Sequence, residues 1–317
     1  MNLSNLFKSL ISISGTLGLV TISNLLFINS ANAFDVTFSN GGFDEPLPNG
    51  SLDDWSSIGD VTFNGGIDGV NPLSNPGQAI LTTGYLNGVD DRNDDFGLDF
   101  NQSGTNPVDA DTLTSNNTGQ DLQTFLGLDT DALSIDRSNG LPGYRTPKEG
   151  SGLYQDIMVA ITAADVANGN NAFEISFNWA YLSNDGTSPD FGNQDYGFVS
   201  IYDTNSTPSS INVLAESDQT ITAPTMADDY NNANSANYNT GSPNLYTQSF
   251  SGLAAGNYTY RVGFGVVDVD SYDRTSALLV DDFSVEQVPF EFSPSGGIAI
   301  ILTLIGFNHI KRRVKHQ

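Results

Sequence analysis

The 317 residues carry 37 Asp and Glu against 11 Lys and Arg, a formal charge of −26, and no cysteine. Such acidity turns away nucleic acid, whose binding rests on Lys and Arg meeting phosphates, and suits divalent cations and neutral or cationic partners. Both histidines, His309 and His316, sit at the C-terminal end, so the body offers no zinc site of the usual type, no Cys nucleophile and no His-based triad.

Residues 1–33 read as a secretory signal peptide. Lys8 precedes the apolar run "LISISGTLGLVTISNLLFI", and "SANA" sets Ala31 and Ala33 in an A-x-A pattern with cleavage after Ala33. The alternative is an uncleaved anchor. The mature chain then begins at Phe34, outside the cytoplasm.

Residues 34–287 read as one all-β domain, a β-sandwich or jelly roll. Ten strand-like runs are punctuated by Gly, Asn, Asp and Pro: "FDVTFS", "DVTFNG", "QAILTTG", "GLYQDIMVA", "FEISFNWAYL", "YGFVSIYD", "INVLAES", "LYTQSFSG", "NYTYRVGFGVV" and "SALLVDDFSVE". Helix signals are sparse; the best is "GQDLQTFLGL", with Leu122, Phe125 and Leu126 on one face. Alternation places Phe173, Ile175, Phe177, Trp179 and Tyr181 on one side, and likewise Tyr258, Tyr260, Val262, Phe264 and Val266. Long polar stretches near 87–120 and 217–243 read as loops.

Residues 288–317 form the tail. From Phe292 to Ile310 there is no formal charge, and the strongly apolar part, "GGIAIILTLIGF", has twelve residues, short against the roughly 20 of a spanning helix. "KRRVK" follows and by the positive-inside rule stays cytoplasmic. The two ends agree: the first exports the body, the second stops transfer.

The order of short motif, brief apolar segment and basic end resembles a PEP-CTERM sorting signal, and "VPFEFSP" resembles the cyanobacterial variant in which Pro-Phe-Glu replaces Pro-Glu-Pro. The resemblance implies recognition of Pro289, Phe290 and Glu291 by an exosortase, a membrane protease-transpeptidase, in a bacterium that makes extracellular polysaccharide. The alternative is an ordinary single-pass anchor. "NGGFDEP", "DDW", "EGSGLYQDI" and "SALLVDDFSVE" are similar to stretches of other PEP-CTERM ectodomains and, more loosely, of galactose-binding jelly rolls. In such jelly rolls a Ca²⁺ often joins the first and last strands. The likeness matches Asp44 to the early acid and Asp281 or Asp282 to the late ones.

Strand parity singles out Asp281 independently. It shares parity with Leu279, Phe283 and Val285, so its carboxylate is expected on the apolar side, where it must be bonded, paired or metal-bound. The competing role is an acceptor of backbone N–H bonds at a strand end. "DDRNDDFGLD" (90–99) spaces Asp91, Asn93, Asp95 and Asp99 as in an EF-hand, but Phe96 takes the Gly position and Gln102 the final acid, so it fails. "DVDSYD" (268–273) reads as a turn that could bind a cation. Of the aromatics, Trp179 is expected in the core and Trp55 as a cap of the sandwich. Tyr230, Tyr238 and Tyr246 are better placed for a glycan. No nucleophile elbow or phosphate loop is present, and the expectation is a non-catalytic protein. The favoured reading is an exported, membrane-tethered and then surface or extracellular component of the polysaccharide layer, structural or carbohydrate-binding. The rival is a hydrolase using two carboxylates.

Overall fold

The computed structural model describes residues 34–45, 50–65, 72, 76–84, 101–110, 120–134, 147–183, 195–205, 211–216, 238–239, 243–269 and 275–288. The signal peptide with Ala33, the motif at Pro289, Phe290 and Glu291, the 90–99 stretch, Tyr230 and the apolar tail lie outside them. Among the described residues no helix is long and apolar enough to cross a membrane.

Two antiparallel sheets make a β-sandwich, as the alternation predicts. The first has the order β1 (Asp35–Thr37), β6 (Pro147–Ile161), β12 (Gly256–Val269), β8 (Tyr196–Asp203), β9 (Asn212–Glu216), with β2 (Ser56–Ile58) and β5 (Val108–Asp109) also on β6. The second has β10 (Tyr238–Asn239), β7 (Phe173–Ser183), β13 (Ser276–Gln287), β4 (Gln78–Thr82) and β3 (Asp60–Asn64), with β11 (Asn244–Phe250) also on β7. All ten predicted runs are strands. The sequence reading missed β2, β5 and β10, which have two or three residues each and leave no alternation to detect.

The core lies between the sheets. Phe173, Ile175, Phe177 and Tyr181 of β7 face Val262, Phe264 and Val266 of β12, with Phe177 and Phe264 edge to face at 4.8 Å. A second cluster lies on the outer face of the first sheet, under α1 (Leu122–Leu126). Asp121 caps this helix by accepting the Thr124 N–H at 2.7 Å. The helix can settle because β6 offers glycine beneath it: a Cβ on Gly152 would stand 2.4 Å from Leu122 Cδ1. A short helix the sequence reading missed, α2 (Ala163–Asn168), follows β6, closed by a Thr162–Asp165 capping box.

The strands define two poles. At the stem pole β1 and β12 begin and β6 and β13 end. Phe34 is buried there, 6.2 Å from Phe173. The Val288 N–H donates to Ala172 O at 3.0 Å, and Leu253 and Asn171 are bonded through backbone and side chain. Both ends of the domain therefore leave at one place. At the opposite, head pole β6, β8 and β13 begin and β4, β7 and β12 end.

Candidate functional site

The predicted cation residues come first. The first and last strands lie in different sheets, but the loop after β1 reaches β13. The Phe283 N–H donates to Gly41 O at 2.9 Å, an approach so close that a Cβ on Gly41 would stand 2.1 Å from Phe283 O. Asn40 shapes this loop, donating to Ser51 O and Asp53 O and accepting the Glu45 N–H. Asp44 lies in it, half-buried.

Parity fails at β13, and the reason is a bulge. Two residues, Asp282 and Phe283, stand against Phe177, with Asp282 in the left-handed region at φ 51°. The extra residue lets both Val280 and Phe283 enter the central core. Asp281 instead pairs with Asn178 and shares the outer face with Leu279, which packs with Ile80, Ala180, Leu182 and Ala277. Asp281 is still only 2% exposed, and its Oδ1 accepts the Asp282 N–H at 2.8 Å. That matches the competing role, an acceptor of backbone N–H. Among the described residues no group of three or more acidic or histidine side chains could hold a metal ion. A cation at this junction would draw on backbone oxygens as well as carboxylates.

Trp55, Trp179 and Tyr246 belong to the scaffold. Trp55 is buried among Phe43, Phe264 and Phe283 and donates its indole N–H to Asn40 O. It fills the core rather than capping it. Trp179 is half-buried against the core. Tyr246 stacks on Phe177 at 4.8 Å and donates to Gln248, and burial pushes its phenol up.

The head pole is where the polar groups gather. Cross-strand register sets Asp109 of β5, Glu149 of β6 and Asp268 of β12 in one row on the inner face. Like charges placed opposite one another repel, and each of the three takes part in a further polar or electrostatic interaction. Beside them Asp195 ties the sheets together. Its Oδ1 accepts the Val269 N–H at 3.1 Å from the first sheet, and its Oδ2 accepts the Ser276 hydroxyl at 2.7 Å from the second. Ser183 completes the link, 2.8 Å from Ser276.

Asp60 is the other anchor. It is 0% exposed, yet it accepts the N–H groups of Gln102 (2.9 Å) and Ser103 (2.6 Å) and the Thr82 hydroxyl. Burial outweighs these bonds and raises its carboxyl above the usual range. Ser151 accepts the Asp60 N–H and donates to Thr82 O, again joining the sheets. Asn101 donates to Gly84 O. The two ends of the segment containing the Asp-rich stretch 90–99 are thus pinned at one buried carboxylate. Sequence reading missed Asp60 because an Asp opening a strand looks like a turn residue; only its distance from Gln102 reveals the latch.

The connections at the two poles differ in their acid content. The connections leaving and returning at the head, 83–107, 110–146, 184–195, 217–237 and 270–275, contain five, five, three, three and two acids. Those at the stem, 162–172, 204–211 and 251–255, contain one, Asp165, and the strand ends there add Asp35, Glu174, Asp203 and Glu286.

No protein-family model matches the chain, and no curated protein matches it. Among solved structures it is similar to the enzymatically active domain of tailspike protein 4 from bacteriophage CBA120. The TM-score is 0.30 and the identity 12%, over 79% of this chain and 21% of that one. It is also similar to TmCBM61 in complex with β-1,4-galactotriose, with TM-score 0.30 and 9% identity over 79% of this chain and 97% of that one. A family 16 carbohydrate-binding module follows at TM-score 0.19 and 14% identity, over 50% of this chain and 95% of that one. Overlaps this slight identify neither a family nor a ligand for this chain.

Proposed function

We propose that the protein is exported, tethered through its C-terminal segment, and works in the extracellular polysaccharide layer as a structural or carbohydrate-binding component. The observation that carries this reading is the head pole, where long connections of polar, acid-rich sequence leave and rejoin a double sheet at ends bonded to the buried Asp60 and Asp195. Rigid scaffolds that hold variable loops at one end are how sandwiches present binding surfaces. A densely packed aromatic core fills the space between the sheets, so any ligand contact falls to faces and loops. Export and tethering are supported by the residue order of the two ends. Sorting by an exosortase-type protease through Pro289, Phe290 and Glu291 is part of the proposal and rests on the same order.

Calorimetric titration against a panel of extracellular polysaccharide fragments, with product release followed in parallel, tests the reading. Binding without turnover supports it. Turnover that vanishes on replacing one acid pair would sink it in favour of a hydrolase. For sorting, the mature C-terminus is compared in cells with and without the processing protease, and identical intact tails defeat that assignment. A structural Ca²⁺ at the junction of the Asp44 loop with Asp281 and Asp282 is supported by the Gly41–Phe283 hydrogen bond that joins the two segments. A melting midpoint unchanged between saturating calcium and chelator removes it.

A further inference from the structure

An asparagine followed by a glycine can react with its own backbone. The glycine nitrogen attacks the asparagine Cγ, and with no Cβ on the second residue little hinders the ring that forms. Geometry governs the rate, because nucleophile and carbonyl belong to one chain and need only meet. Three such pairs lie wholly among the described residues, Asn40–Gly41, Asn64–Gly65 and Asn168–Gly169, and the fold treats them differently. Asn40 is 7% exposed. Its Nδ2 donates to Ser51 O and Asp53 O and its Oδ1 accepts the Glu45 N–H, so its carboxamide is held away from Gly41. Asn168 ends α2, where the Gly169 N–H is taken by the helical carbonyls of Asp165 and Val166. A helical side chain also leans towards the N-terminus, away from the nitrogen that follows it. Both pairs are locked.

Asn64 is placed to react. It ends β3, an edge strand of the second sheet. Phe63 packs against the core, so alternation turns Asn64 outward, and both Asn64 and Gly65 are exposed. The Gly65 N–H donates to Asn64 Oδ1 at 2.6 Å. The nitrogen that must attack therefore already touches the carbonyl group it must attack, with solvent at hand to take its proton. No helix holds the Gly65 nitrogen in another direction, and no cage of backbone bonds holds the Asn64 carboxamide.

We propose that Asn64 is a site of spontaneous covalent modification, converted to aspartate and isoaspartate in the folded protein. The Gly65 nitrogen gives its proton to solvent and bonds to Asn64 Cγ. The Cγ–Nδ2 bond breaks, and Nδ2 leaves as ammonia. Water then opens the resulting five-membered succinimide at either carbonyl. Opening at Cγ gives aspartate; opening at the main-chain carbonyl gives isoaspartate, whose backbone runs through Cγ. Either product adds a negative charge to the outer face of the second sheet, and isoaspartate also lengthens the chain where β3 ends. Asn64 is the last residue of the β3–β4 ladder, opposite Gln78, so the sandwich can carry the change. Water is the co-reactant, and neither export nor ligand binding is assumed.

The full chain is held in detergent at neutral pH and body temperature, and its digests are followed by mass spectrometry for the exchange of –NH₂ for –OH at each pair. In the native protein Asn64 is expected to convert several-fold faster than Asn40 and Asn168. In urea, where the geometry is gone, the three rates should converge. Gly65→Ala hinders the ring and should slow the loss at Asn64 several-fold while leaving the other two sites unchanged. Its added Cβ would meet only Pro76 O, at 3.4 Å, so the fold admits the variant. Equal rates in the native chain, or a lead for Asn40 or Asn168, overturn the proposal. A lead for Asn64 that persists undiminished in urea does the same, since the fold would then not be its cause. Aspartate as sole product, at a rate that Gly65→Ala leaves untouched, overturns the attack by the Gly65 nitrogen.

Discussion

The two poles belong to the same strands and are held by different chemistry. At the stem, Phe173 packs against Phe34, Phe250 and Tyr260, and backbone bonds at Ala172 and Asn171 seal the end. At the head, hydroxyls and buried carboxylates do the joining: Asp195 through Ser276, and Asp60 through Thr82 and Ser151. Apolar closure suits an end that has only to stay shut where the chain enters and leaves the domain. Polar closure costs more to build, because each buried oxygen needs a partner. It gives directional anchors from which long loops can leave at fixed places.

The strongest way to break this contrast is at its apolar side. Phe173→Ala removes a fully buried ring that touches three others, and a loss of about 3–5 kcal/mol is expected in urea unfolding. Hydrogen exchange should quicken first in the β1–β6 pairing and at Val288, where Phe34 and the end of β13 lose their support. Equal quickening at Gln102 and Ser103 would mean that the poles are not separate units. At the polar side, Asp60→Ala strands two N–H donors and a hydroxyl, for about 2–3 kcal/mol. Its local signature is the reverse: exchange rises at Gln102 and Ser103 and the stem stays protected.

The contrast was half legible in the sequence. Alternation in "FEISFNWAYL" and "NYTYRVGFGVV" placed the core faces correctly, because period two survives wherever a strand is buried on one side. It failed at "LLVDDFSVE", where one extra residue reverses every following side chain, and nothing in the local pattern marks a bulge when Asp rather than Gly takes the left-handed position. The head anchors were hidden for another reason. Asp60, Thr82, Ser151 and Gln102 come from four separate segments, and with acids so common in the chain one carboxylate does not stand out. The stem lock was hidden likewise, since Phe34 and Phe173 are joined only by the fold.

pH sharpens the comparison, because each pole has its own window. Burial pushes the Tyr260 phenol up to about 12, against about 10 in the unfolded chain. Between those values the unfolded chain has lost the proton and the folded chain keeps it, so stability falls as pH rises from 10 towards 12, by no more than about 2 kcal/mol. Tyr260→Phe should remove that part of the slope. Asp60 acts at the other end of the scale. Its raised carboxyl keeps its proton in the folded protein above the ordinary 3.8, so its ionisation weakens the head as pH rises from there. Wild type should accordingly gain on Asp60→Asn as pH is lowered from 7 towards 4. A difference that is flat with pH would show that the three hydrogen bonds offset burial at Asp60, and one of the opposite sign that they outweigh it.

The smallest effect is expected between the poles, on the outer face of the first sheet. Arg261 donates from Nε and one terminal nitrogen to the two Asp156 oxygens at 2.8 and 2.9 Å, and its guanidinium lies 3.9 Å from the centre of the Tyr154 ring. The bidentate geometry is good, but Asp156 is 39% exposed, and water screens such a pair. Arg261→Ala should cost about 1 kcal/mol or less, ring contact included, with most of the ionic share gone in high salt. Neither pole should change its exchange rates. A cost above about 2 kcal/mol, shared by Gly127 and Leu128, would mean that the arginine works through Tyr202, which donates to Leu126 O at the end of α1. The helix, and not the two poles alone, would then be fastening the loops of the head.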